Sequence, residues 1–128
     1  MATGRSDERA FLFDGTMKNL GNLTSASGWN DSWANAVNGS GTTVGGSMTG
    51  TTPGMTGLLY IPSTNKTHNM ATCLNAADRA TYMVQVASGR GELADINSGG
   101  LICGPGLGVS HNFNIAGKRA FLLAPIGP

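Results

Sequence analysis

One nine-residue pattern occurs twice in this chain, and it constrains the fold more than anything else in the sequence. Val37-Asn38-Gly39-Ser40-Gly41-Thr42-Thr43-Val44-Gly45 returns as Ile96-Asn97-Ser98-Gly99-Gly100-Leu101-Ile102-Cys103-Gly104. Each copy places a β-branched residue first, then Asn, two small residues and Gly, and closes on an apolar residue and Gly. Asn and Gly supply the positive φ of a tight turn, so each copy predicts a strand end, a turn and a return strand. A second repeat frames the first. Arg9-Ala10-Phe11-Leu12-Phe13 returns as Arg119-Ala120-Phe121-Leu122-Leu123, with a weaker copy, Gly57-Leu58-Leu59-Tyr60, between them. The order is therefore apolar strand, turn motif, apolar strand, turn motif, apolar strand. Unequal spacing on a shared skeleton is the mark of a repeat with a loop insertion, placed here around Asn75 to Glu92.

Composition supports strands. Charged residues make up 12% of the chain and Gly 20 of its 128 residues, with many Ser, Thr and Asn. Such a chain favours short strands and tight turns over helices. Its 40% apolar content is enough for a core and argues against disorder. A net charge of +1 without a basic cluster gives no electrostatic footprint for nucleic acid. No apolar run approaches the length of a membrane-spanning helix, and residues 1–8 lack the apolar stretch of a signal peptide.

Read in order, residues 1–8 are a polar lead-in and 9–128 one all-β domain. Its two repeats span about 9–50 and 56–104, and a closing strand spans 119–124. Asp14-Gly15 and Pro62-Ser63-Thr64-Asn65 read as hairpin turns. Trp33 reads as the buried anchor of its strand. Asn75 to Arg79 reads as one helical turn, Ala80 to Ala87 as a half-buried strand, and Val109 to Ile115 as ambiguous. Gly104-Pro105-Gly106 is expected to break regular pairing.

Candidate chemistry is sparse. His68 and His111 lie in different repeats with no Cys, Asp or Glu at ligand spacing, so they read as exposed loop histidines and predict no metal site. The carboxylates include no close pair of the kind a glycosidase needs. Gly39-Ser40-Gly41 sits in a hairpin and is not a nucleophile elbow. Gly104 to Gly108 lacks the helix and Lys of a phosphate loop. No cofactor is implied. Among the aromatics Trp29, Trp33 and Tyr60, Trp29 sits in a loop beside Asn30 and Asp31. That trio is the candidate ligand contact, with a glycan as the candidate ligand.

The Ala10-to-Phe13 strand, Met17-Lys18-Asn19-Leu20-Gly21-Asn22-Leu23 and the 34–45 stretch together resemble the bacterial extracellular HAF repeat. Ile96 to Gly104 and Arg119 to Pro125 are similar to that family's final repeat, so the resemblance runs over about residues 9–125. The family's opening His is Arg9 and Arg119 here, and its Phe is Leu58 in the second repeat. The resemblance implies secretion or surface display, a repetitive, propeller-like all-β fold and no established activity. In an exported protein Cys73 and Cys103 become candidates for a disulfide, the alternative being two buried free thiols.

The expected fold is thus all-β, with short antiparallel strands in two repeated blade-like sheets, each built from one repeat. A β-sandwich is the alternative. The expected function is a non-enzymatic extracellular module acting through binding or self-assembly. Its expected partners are copies of itself or neighbouring repeats of a longer chain. The competing readings are a structural surface or virion-type subunit and a small hydrolase. Two blades cannot close a propeller, which takes about four to eight.

Overall fold

The computed structural model describes residues 1–6, 9–20, 31–48, 55–73, 93–107 and 118–125. They form an all-β chain of ten strands in three antiparallel sheets. The first sheet holds β1 (Ala2–Ser6), β2 (Arg9–Phe13) and β3 (Met17–Asn19) in that order. The second runs β4 (Ser32–Val37), β5 (Thr43–Met48), β6 (Met55–Ile61) and β7 (Lys66–Asn69). The third holds β8 (Asp95–Ile96), β9 (Ile102–Leu107) and β10 (Lys118–Leu123). One 3₁₀ turn, Met70–Cys73, follows β7. No helix among the described residues is long and apolar enough to cross a membrane.

The two turn motifs fold alike. In the first, the Asn38 N–H donates to Thr42 O at 3.1 Å and the Gly41 N–H to Asn38 O at 3.0 Å. In the second, the Asn97 N–H donates to Leu101 O at 3.0 Å and the Gly100 N–H to Asn97 O at 3.1 Å. Gly41 and Gly100 carry φ values of +89° and +86°, a region in which a side chain is strained. The flanking registers match as well, Val37 opposite Thr43 and Ile96 opposite Ile102.

The repeat extends further than the sequence pattern. Gly4 pairs with Phe11, Gly45 with Leu58 and Gly104 with Phe121. Each sheet thus sets a return-strand glycine against the same position of its apolar strand. This overturns the reading of residues 1–8 as a lead-in, because Ala2–Ser6 is a full partner of β2. Its alternating polar side chains concealed a strand specified by backbone pairing and by the Phe11 ring, which lies over Gly4.

The repeats are not self-contained blades. β2 and β3 belong to the first sheet, yet β4 and β5 of the same repeat belong to the second. The second sheet is completed by β6 and β7 of the next repeat. Each repeat is therefore shared between neighbouring sheets, which ties the sheets together covalently. The sheets are three open layers and not a closed propeller.

Two apolar layers fill the gaps. Ala10, Leu12 and Leu20 pack against Ala34, Leu58 and Tyr60 between the first and second sheets. Val44 and Leu59 pack with Met70, Leu93, Ile96 and Ile102 between the second and third. β6 serves both, because successive side chains point to opposite faces of a strand. Leu58 and Tyr60 face one layer and Leu59 faces the other. Trp33 is only half-buried; the buried residues of β4 are its neighbours Ser32 and Ala34. The Ser32 hydroxyl accepts the Ala10 N–H at 2.9 Å and so joins the first two sheets.

Pro105 does not interrupt β9, which pairs with β10 from Ile102 to Leu107. The main chain of Cys103 faces β8, since its carbonyl accepts the Ala94 N–H. Pro105, two residues on, turns its N–H-less nitrogen the same way, beyond the end of β8. The helical turn expected at Asn75 to Arg79 and the segments Ala80 to Ala87 and Val109 to Ile115 lie outside the described residues.

Candidate functional site

The strand that follows each apolar strand is short and polar, β3 after β2 and β7 after β6. Stacking of the first two sheets brings these two strands alongside one cleft of about 440 Å³. Lys18, Asn19 and Leu20 line one wall, and Tyr60 with residues 65–68 lines the other.

Each polar group has a local cause. Pro62 to Asn65 form the β6–β7 turn, closed by the Asn65 N–H donating to Pro62 O at 3.1 Å. Asn65 has a φ of 53°, a left-handed conformation that Asn tolerates better than most residues. This conformation lets its side-chain oxygen accept the Tyr60 hydroxyl at 2.8 Å. The Tyr60 ring is buried in the first apolar layer, so only its polar tip reaches the cleft.

Lys18 pairs with Asp14 across the β2–β3 turn at 2.9 Å. The hydrogen bond to Asp14 raises the Lys18 pKa above the ordinary lysine range, with a smaller contribution from nearby Tyr60. The same bond lowers the Asp14 pKa below the ordinary carboxylate range. Lys66 has no carboxylate partner among the described residues. His68 sits on β7 opposite Leu59 and is half-buried. It is a strand residue and not the exposed loop histidine expected. The cleft is thus polar, lined by the Lys18 ammonium and by hydroxyl and amide groups held on paired strands, while Lys66 and His68, opposite Ile61 and Leu59, direct their side chains to the other face of the second sheet.

The anticipated trio of Trp29, Asn30 and Asp31 is only partly placed. Trp29 and Asn30 lie outside the described residues, as does His111. Asp31 is engaged by Arg5, whose Nη2 donates to Oδ2 at 3.0 Å and lies 2.9 Å from Oδ1. The Oδ1 contact is ionic and not an aligned hydrogen bond. Asp31 therefore ties β1 to the start of β4. Tyr60, weighed from sequence as a sugar platform, offers a hydroxyl and not a ring face. Cys73 and Cys103 are free, and both are exposed. The disulfide is not formed and the alternative of burial fails too. The Cys103 side chain points to the outer face of the third sheet, opposite the layer that buries Ile102.

Among the described residues no three His, Cys, Asp or Glu side chains converge as metal ligands would. Sequence reasoning missed the cleft, because β3 and β7 come alongside it only through the stacking of two sheets. The available signal was the equivalence of Met17-Lys18-Asn19 and Thr67-His68-Asn69, each on the strand after an apolar strand and its turn. No family model matches the chain, and neither a curated protein nor a solved structure matches it significantly.

Proposed function

We propose that this chain is a non-enzymatic, extracellular repeat module of the HAF type that binds an acidic glycan in the cleft between β3 and the β6–β7 hairpin. The observation that carries the ligand class is the cleft's lining. Lys18 supplies a cationic donor, while Asn65 and Thr67, the latter on the same face of the sheet as Tyr60, supply amide and hydroxyl groups on paired strands. Sugars are recognised by such groups, and carboxylate-bearing sugars add attraction to ammonium groups. The mechanism is binding alone. The Asp14–Lys18 pair keeps the Lys18 ammonium in place, and the Tyr60–Asn65 bond fixes the hairpin tip. Export, the bacterial surface and the HAF relationship rest on the sequence resemblance.

Titration calorimetry against neutral and acidic oligosaccharides tests this. Binding of an acidic sugar that weakens at least fivefold in Lys18→Gln, with unchanged thermal unfolding, supports the proposal. Absence of binding to every acidic sugar, or binding indifferent to Lys18→Gln, refutes it.

A further inference from the structure

The two interfaces inside the chain are copies of one another, and the two outer sheet faces are the halves of that same interface. Cross-strand rows show this. Ala2–Phe13–Met17 in the first sheet corresponds to Thr43–Tyr60–Thr67 in the second and Ile102–Leu123 in the third, with Val37 and Ile96 extending the latter two rows. In the second and third sheets these rows face the preceding sheet, with Tyr60 2% exposed and Ile102 6%. In the first sheet no described strand precedes the row, and Phe13 and Met17 are 44% and 62% exposed.

The opposite faces follow the same rule. Leu12, Leu59 and Leu122 are equivalent positions of the three apolar strands. Leu12 and Leu59 are 1% and 8% exposed beneath the following sheet, whereas Leu122 is 67% exposed. Its neighbours across the sheet, Cys103 and Asp95, are exposed as well.

We infer that copies of this chain stack head to tail, the Leu122–Cys103 face of one copy packing on the Phe13–Met17 face of the next. The partner is a second copy because the chain already contains this interface twice between its own sheets. A third instance needs no new surface, only two faces that occur on the same molecule. Such contacts are heterologous, so they propagate as rings or filaments and do not stop at a two-fold dimer. Asp95 stands where the second sheet has Ala36, which packs partly buried in its interface. That charge weakens the contact and keeps assembly dependent on concentration. The inference rests on the structural repeat and is independent of the glycan cleft.

Sedimentation of the full chain from low to high micromolar concentration tests it, with Leu122→Lys and Phe13→Lys as variants. Both positions are exposed, so both variants should keep the parent's circular dichroism and melting point. The weight-average mass of the parent is expected to rise beyond twice 13.1 kDa. Each variant alone is expected to stay monomeric. An equimolar mixture is expected to reach about twice the monomer mass, because each variant retains the one face that the other lacks. Asp95→Ala should strengthen association at least threefold. Alkylation supplies a readout without substitution: Cys103 should become protected as concentration rises while Cys73 does not.

A parent that stays at 13.1 kDa throughout overturns the inference. So does a Phe13→Lys variant that associates like the parent, or a mixture that remains monomeric. A monomeric parent that still binds acidic glycan would sink the assembly and leave the cleft intact, so the two failures are distinguishable.

Discussion

Gly45→Ala should be the most damaging glycine-to-alanine change among the glycines whose surroundings the structure describes. A Cβ at Gly45 would lie 2.0 Å from Trp33 O, 2.7 Å from Ala34 Cα and 2.9 Å from Trp33 C. Carbon–oxygen contacts ordinarily stop near ~3.3 Å, so β4 and β5 would have to separate by more than about 1 Å. That movement breaks one or two ladder hydrogen bonds beside the bulge between Ala34 and Ala36, at about 1 kcal/mol each. It also disturbs the bond in which Gly45 O accepts the Leu93 N–H at 2.9 Å, and with it the packing of fully buried Val44. Overpacking of a core adds roughly 1–3 kcal/mol. The sum is about 2–5 kcal/mol, a large share of the roughly 5–15 kcal/mol a domain possesses. Gly4→Ala is the first control: its Cβ meets only the Phe11 ring, at 3.0 Å, and the ring can move. Gly39→Ala is the second, with nothing within 4 Å and no positive φ, and it should stabilise by about 0.4–1 kcal/mol. Urea unfolding followed by circular dichroism reads all three. If Gly45→Ala falls within about 0.5 kcal/mol of Gly39→Ala, a spread well inside the effects claimed, the close β4–β5 approach is wrong.

The two asparagines of the turn motifs should differ in cost. Asn38 Oδ1 accepts from the Ser40 N–H, the Ser40 hydroxyl and the Thr42 N–H, and its Nδ2 donates to Asn97 O. Asn97 Oδ1 accepts only from the Leu101 N–H among the bonds seen. Asn38→Ala should cost about 2–4 kcal/mol and Asn97→Ala about 1 kcal/mol in the same assay, and equal costs would contradict the difference. The Asp14–Lys18 pair sets a pH dependence. The lowered Asp14 pKa contributes stability above the ordinary carboxylate range, lost as pH falls through the lowered value. The raised Lys18 pKa contributes below the ordinary lysine range, lost as pH rises through the raised value. Asp14→Asn should return Lys18 to its ordinary titration in an NMR experiment, and an unmoved Lys18 would refute the pairing. Both cysteines should be alkylated in native, dilute protein never exposed to reductant; a blocked pair would indicate a disulfide.

Much of the architecture was legible in the sequence, and for a physical reason. Asn and Gly in the turn motifs are demanded by backbone geometry, so the motif at 37–45 and its copy at 96–104 announced equivalent hairpins. The apolar runs at Ala10, Leu58 and Ala120 announced strands because few other residues could be buried. What escaped was anything set by backbone pairing or by contact between sheets. β1 is polar and was invisible to hydrophobic periodicity, although Gly4 takes the place of Gly45 and Gly104. The partition of each repeat between two sheets follows from strand partners, which a repeat pattern does not specify. Trp33 reads as buried because it leads an apolar strand, whereas it is Ser32 that is buried, where its hydroxyl accepts the Ala10 N–H. The cleft escaped because Lys18 and Thr67 are far apart in sequence and each alone reads as a solvated polar side chain.

The sharing of each repeat between two sheets is tested most directly by the partners of β3, β4, β5 and β6 in an NMR experiment on the full chain. Cross-strand contacts between amide and Hα protons should link Gly45 with Leu58 and Thr43 with Tyr60, pairing the end of the first repeat with the start of the second. None should link Met17–Asn19 with Ser32–Val37. Cross-strand contacts between β3 and β4, with none between β5 and β6, would make each repeat a self-contained blade and contradict the architecture described here.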